Sequence, residues 1–163
     1  MSQTFQIPGR VLYTAGYLAV VDSLKLDAFQ DLHTRLGLIC FDIRHNPWSR
    51  APIWRKEQME KALGDAYCHL PAFWNKNYRG QNGEGVQIVD MDRGVQTLIH
   101  ECAFRQRAPL LLCGCPEYKD CHRSVVAQGF YERGLVDEIV EIGASFWNFR
   151  NPNPPPRKKG GKP

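Results

Sequence analysis

The chain has 163 residues, 43% of them hydrophobic, with six cysteines and a formal net charge of +4. That supplies one apolar core of ordinary size and leaves too little for two. The opening Met-Ser-Gln-Thr-Phe-Gln-Ile-Pro has no basic and apolar leader, and no run approaches the roughly 18 apolar residues of a membrane span, so a cytoplasmic chain without membrane contact is expected. The charge is unevenly placed: residues 151–163 carry Arg157, Lys158, Lys159 and Lys162 and no acid, which leaves residues 1–150 neutral. A body that grips polyanions by bulk basicity is thereby excluded.

Residues 10–17 form a short β-rich run that ends at a glycine, and 26–36 place apolar residues at helical spacing as far as Gly37, which closes the helix. Residues 38–44 are apolar almost to their end, as in a strand covered on both faces, and Asn46-Pro47 stops the run. A second helix is expected over 55–63 and a third strand over 66–70. The stretch 74–85 breaks this pattern, with three glycines among Asn, Gln, Lys, Arg, Tyr and Trp; such long polar loops cover sites or move. A helix over 91–105, despite its interior Gly94, a very apolar strand over 110–113, a helix over 124–133 and a strand over 136–142 complete the reading.

Alternating strands and helices predict an α/β fold. We expect a single three-layer domain over residues 1–150, its mainly parallel sheet covered by helices on both faces and joined by right-handed crossovers. Residues 151–163, rich in Pro, Gly and Lys, predict a flexible basic tail able to add a weak, salt-sensitive contact with nucleic acid. Phe146, Trp147 and Phe149 just before it predict an apolar clasp on the body.

Cys40, Cys68 and Cys102 fall in apolar runs and are read as buried small hydrophobes, whereas Cys113, Cys115 and Cys121 crowd into one loop. That loop, Cys113-Gly-Cys-Pro-Glu-Tyr-Lys-Asp-Cys-His-Arg-Ser124, follows the most apolar strand and opens the next helix. In open α/β sheets ligands bind beyond the carboxyl ends of the strands, where Tyr13, Thr14 and Gly16, then Asp42 and Arg44, then His69 and Cys113 are expected to converge. His122 and Arg123 in the first helical turn oppose the helix dipole, at roughly 0.3–1 kcal/mol each when charged. An anion held by the helix start, Arg123 and Arg44 would offset that cost. The competing reading pairs Arg123 with an internal carboxylate, Asp42 being the obvious candidate.

Cys121 or Cys113 is the candidate nucleophile, with His122 as acid or base and Asp42 orienting it or activating water. The Cys-x5-Arg spacing of thiol phosphatases is absent: six places after Cys113 stands Lys119 and six after Cys115 stands Cys121. The same loop offers Cys113, Cys115, Cys121 and His122 as ligands for zinc or iron, although adjacent Cys121 and His122 would both have to turn toward one ion. A Cys113–Cys121 disulfide switch is a third reading. His45, Trp48 and Trp54 either shape a pocket for a planar group or pin a loop, and His33 and His100 are expected to be solvated or packed on helices.

Four segments carry a family resemblance: 12–16, 41–50 with Asp42-Ile-Arg44, the Leu70-Pro71 step, and 111–124 with its strand-end cysteine and Cys121-His-Arg-Ser124. Over residues 10–142 the chain resembles the domain of unknown function 488 family, small and mostly prokaryotic α/β proteins. The resemblance implies the fold and a site at Asp42, Arg44, Pro47, Ser49, Arg50, Cys113, Cys121, His122, Arg123 and Ser124, without implying a reaction. Cys115 and Trp74-Asn75 depart from the family pattern. The expectation is therefore a hydrolase or transferase acting on a small anionic, nucleotide- or nucleic-acid-related substrate. Cys113, Cys121, His122 and Asp42 would be catalytic, and Arg44, Arg123, Ser124, Tyr13, Ser49 and Arg50 would bind substrate. The alternative is a non-catalytic metal- or anion-binding regulatory module or a thiol redox switch.

Overall fold

The computed structural model describes residues 5–16, 26–115 and 117–142. The expected boundary at residue 150, the basic tail and the aromatic clasp lie outside the described residues. Among the described residues, five strands, β1 (Val11–Gly16), β2 (Leu38–Asp42), β3 (Tyr67–His69), β4 (Ala108–Cys113) and β5 (Glu138–Ile142), form one sheet in the order β3-β2-β4-β1-β5, and every pairing in it is parallel. Four helices of eight residues or more accompany them among the described residues: α1 (Leu26–Leu36), α2 (Lys56–Leu63), α3 (Met91–Arg105) and α4 (His122–Glu132). This is the expected α/β architecture. Among the described residues no helix is long and apolar enough to cross a membrane.

The pleat divides the core in two. Leu12, Ile39, Phe41, Leu111 and Cys113 point to one face and pack with Val95, Leu98 and Cys102 of α3 and Val126, Ala127 and Phe130 of α4. Their chain neighbours Ala15, Leu38, Cys40, Leu110 and Leu112 point to the other face and pack with Phe29 and Leu32 of α1 and Met59 and Leu63 of α2. Both sides of β2 and β4 are dry, which is why their sequences are continuously apolar and show no alternation. Gly94 also has a physical reason: a Cβ there would lie 2.3 Å from the Phe73 ring, so its absence lets α3 close on the turn Pro71–Phe73.

This topology places the site. The connections after β1 and β2 run through α1 and α2 on one face, whereas the connection after β4, which lies between those two strands, runs through α4 on the other. Loops that leave neighbouring strands toward opposite faces open a crevice at the strands' carboxyl ends. Cys113 is the last residue of β4 and sits at that crevice.

Candidate metal centre and ligand cleft

After Cys113 the chain loops through a short turn, Tyr118–Asp120, and returns at Cys121, which caps α4. Cys121 has extended dihedrals (φ −105°, ψ 144°) and its sulfur accepts the Arg123 N–H at 3.5 Å, while His122 is already helical. This break at the cap lets two adjacent side chains face the same point, which answers the stereochemical objection raised by the sequence. It also starts the helix at His122, two residues before the expected Ser124.

The Sγ atoms of Cys113, Cys115 and Cys121 and a ring nitrogen of His122 all lie within 4.8 Å of one another. Cys113 Sγ is 3.8 Å from Cys115 Sγ and 3.7 Å from His122 Nδ1, and Cys121 Sγ is 3.9 Å from the same nitrogen. Bonds of about 2.3 Å to sulfur and 2.0–2.1 Å to nitrogen at tetrahedral angles require edges of about 3.6–3.8 Å. Three of the six separations, at 3.7, 3.8 and 3.9 Å, already stand near those edges. Cys113 and Cys121 are buried and Cys115 is half-buried.

His122 is oriented from behind. Its Nε2 lies 3.3 Å from the backbone oxygen of Ile43 and 3.8 Å from Cys113 Sγ; in the tautomer with the proton on Nε2, that proton is donated to Ile43 and Nδ1 is left as the ligand atom. The sulfurs share charge unevenly. Hydrogen bonds with Cys113 and Cys115 hold the Cys121 thiol far below its usual range, aided by His122 and by the Arg123 N–H, whereas contact with Cys115 and Cys121 and then burial push Cys113 far up. For Cys115 the Cys113 hydrogen bond lowers the pKa, but contact with Cys121 and burial raise it on balance. Cys121, at the amino end of α4, is therefore favoured as the most acidic of the three thiols.

Asp42 is not the group that orients His122. It points to the opposite face of the sheet, where its carboxylate accepts from Arg44 Nε at 2.8 Å and from the Tyr67 hydroxyl at 2.7 Å. That hydrogen bond, after burial and the nearby Asp42 charge, helps to push the Tyr67 phenol up. His69 extends the cluster, its Nε2 lying 2.8 Å from the Arg44 backbone oxygen. Alternation along β2 decides the matter, because Asp42 shares its face with Cys40 and not with Phe41.

Arg123 is internally paired, but with Glu141 of β5 and not with Asp42. It is 0% exposed; its Nη2 is 2.7 Å from Glu141 Oε1, and its Nη1 donates to the Cys115 backbone oxygen at 2.8 Å. Thr14 donates to the same carboxylate. Gly16 makes room for this clamp, since a Cβ there would stand 2.0 Å from the Cys115 oxygen and 3.0 Å from Arg123 Nη1. The guanidinium groups expected to hold an anion are thus both neutralised by carboxylates.

A cleft of about 650 Å³ opens above the sulfur cluster. Its lining includes Cys113, Cys115 and His122 on the floor and Arg44, His45, Trp74, Tyr78 and Arg79 around it. His45 thus joins the site, whereas Trp54 is core and Trp48 is exposed beneath the Arg55 guanidinium. Of the remaining predicted residues, Tyr13 lies inside β1 on the α1/α2 face, and Ser49 accepts the Ala51 N–H in its own turn. Ser124 bonds back to the Cys121 carbonyl and lines a separate groove, and Arg50 is exposed outside the cleft lining. The sequence reading missed Tyr78, Arg79 and Glu141; the only available signal was the aromatic and basic content of the 74–85 loop.

Comparison of the chain with protein-family models, curated proteins and solved structures finds no match.

Proposed function

We propose that this protein is a metal-binding α/β module in which Cys113, Cys115, Cys121 and His122 hold zinc at the floor of an open ligand cleft. The observation that carries this reading is the mutual approach of four soft or borderline ligand atoms to within 4.8 Å, with the fourth ligand's other nitrogen fixed by the Ile43 carbonyl. Four protein ligands make a closed coordination shell, the arrangement of metal sites that stabilise or sense. The binding energy would tie the end of β4 to the start of α4 and shape the cleft between them. Membership of the domain of unknown function 488 family belongs to the same proposal, with Cys115 as this chain's own addition to the strand-end cysteine and Cys121-His122-Arg123-Ser124.

A second reading keeps the enzyme: without metal, Cys121 would be a thiolate nucleophile toward a small anionic substrate. The hydrogen bonds that lower its thiol pKa favour it. Elemental analysis of freshly purified, tag-free protein separates the two. Near-stoichiometric zinc that falls in Cys115→Ser supports the metal module. Metal-free protein in which one equivalent of iodoacetamide labels Cys121 first supports the thiol enzyme and excludes the module.

A further inference from the structure

The cleft walls carry more chemistry than a structural metal requires. Three rings stand in a row along one side: the Trp74 centroid is 5.2 Å from His45 at an interplanar angle of 32° and 5.5 Å from Tyr78 at 38°. The edge of Trp74 meets His122 at 5.7 Å and 81°, which joins this wall to the floor. Tyr78 is 69% exposed, so the face it does not turn to Trp74 is open to a ligand.

The loop that presents Tyr78 and Arg79 is built to hold them. Asn77, 5% exposed, donates from its side chain to the Gly83 and Gly85 carbonyls at 2.9 and 2.8 Å and accepts the Asn82 N–H at 2.8 Å. Asn75 accepts the N–H groups of Asn77 and Gln87 at 3.0 and 2.9 Å, pinning both ends of the loop. Backbone bonds close the base of the loop, Lys76 N–H to the Gln87 oxygen and Val89 N–H to the Trp74 oxygen, both at 2.9 Å, and the two asparagine side chains tie the span between, which preorganises it.

The charge is one-sided. The cleft lining holds Arg44, His45, Arg79 and His122 and, among the described residues, no carboxylate. Arg44 is neutralised by Asp42, but Arg79 is exposed and makes no ion pair among the described residues. A cluster of aromatic rings offers a planar ligand a face to stack on, and an uncompensated guanidinium at the same opening takes an anion. A volume of about 650 Å³ suits a small molecule.

We infer that the cleft formed by His45, Trp74, Tyr78 and Arg79 binds a planar heterocycle bearing an anionic group, with the nucleoside monophosphate as the chemical class. The ring lies against Trp74 and Tyr78, and the phosphate meets Arg79. This deepens the metal-module reading by giving the cleft a ligand, and it rests on that reading only for the cleft floor.

The test is calorimetric titration of zinc-assayed full-length protein with adenosine monophosphate, adenosine and ribose 5-phosphate, with tryptophan fluorescence as the second signal. Adenosine monophosphate binds more tightly than either fragment. Arg79→Ala weakens it at least ten-fold and leaves adenosine unchanged, while Tyr78→Ala weakens both; the exposed positions of these side chains spare the fold. Absence of binding at millimolar adenosine monophosphate to zinc-loaded protein overturns the inference and leaves the metal reading standing. Binding to protein shown to contain no zinc supports the cleft and sinks the metal reading. Affinity that rises with the length of single-stranded oligonucleotides, with the mononucleotide silent, overturns the small-ligand assignment in favour of a polymer.

Discussion

His122 Nε2 lies 3.3 Å from the Ile43 carbonyl oxygen, and that contact turns the opposite ring nitrogen toward the sulfurs of Cys113 and Cys121. A backbone oxygen of the segment after β2 thus offers an acceptor for an Nε2 proton on the side chain that begins α4. A proton held there by Ile43 leaves Nδ1 as the ligand atom. His122→Ala should therefore lose most of its zinc while a spectroscopically folded protein remains. Bound ligand at about 1,000 times its dissociation constant contributes roughly 4 kcal/mol, so chelation should lower the Tm of the parent by on the order of 10 °C. It should lower that of His122→Ala or Cys115→Ser little. An unchanged parent Tm in chelator, checked by scanning calorimetry, would sink the assignment.

Gly16 reports on the clamp that holds Cys115. In Gly16→Ala the new methyl meets the Cys115 carbonyl at 2.0 Å, so the Arg123–Cys115 contact has to give way. Overpacking of this kind costs about 1–3 kcal/mol. Zinc content should fall together with stability in Gly16→Ala. In Gly94→Ala, which meets Phe73 away from the sulfurs, stability should fall with zinc retained. Equal zinc in both variants would show that the clamp does not position the third thiol.

Asp42 separates the structural cluster from the site. Its carboxylate is 0% exposed and serves both Arg44 and Tyr67. Asp42→Asn should destabilise by about 3–5 kcal/mol because it leaves a buried guanidinium without its counter-charge. Urea unfolding would measure that loss, and the zinc-to-protein ratio of the folded fraction should not change. A drop in zinc would return Asp42 to the site.

His33 predicts an acid limb in stability. The ring is buried on α1, with Nδ1 2.8 Å from the Phe29 carbonyl and Nε2 lacking a partner among the described residues. Burial lowers its pKa to about 4, against the Phe29 hydrogen bond, which raises it, and with Arg107 lowering it further. The unfolded chain, with an imidazole pKa of about 6.5, takes the proton first as pH falls. Stability is full above about pH 6.5 and declines toward pH 4 by roughly 3 kcal/mol. His33→Met should flatten that part of the profile; a slope unchanged from the parent would place the titrating group elsewhere.

Much of the fold was legible because two local patterns coincide with its elements. Continuous apolar runs at 38–42 and 108–113 mark strands dry on both sides, and glycines such as Gly37, with φ of 59°, end elements where a left-handed residue is needed. The ligand set was legible for the same local reason: Cys113, Cys115, Cys121 and His122 are close in the chain. Strand order is another matter. That β4 inserts between β2 and β1 depends on pairings between residues far apart in the chain, as in Phe41 with Leu111 and Tyr13 with Leu110.

The sequence by itself determined which segments would be strands and helices and which loop would gather sulfur and imidazole, because periodicity, turn residues and chain proximity are local properties. Only the tertiary structure decided that Arg123 answers Glu141, that Asp42 faces away from Cys113, and that Trp74, Tyr78 and Arg79 stand over the sulfurs. The reason is physical. A one-residue step along β2 reverses the face a side chain occupies, and which distant carboxylate a buried guanidinium meets depends on how strands stack side by side, an order that no local pattern encodes.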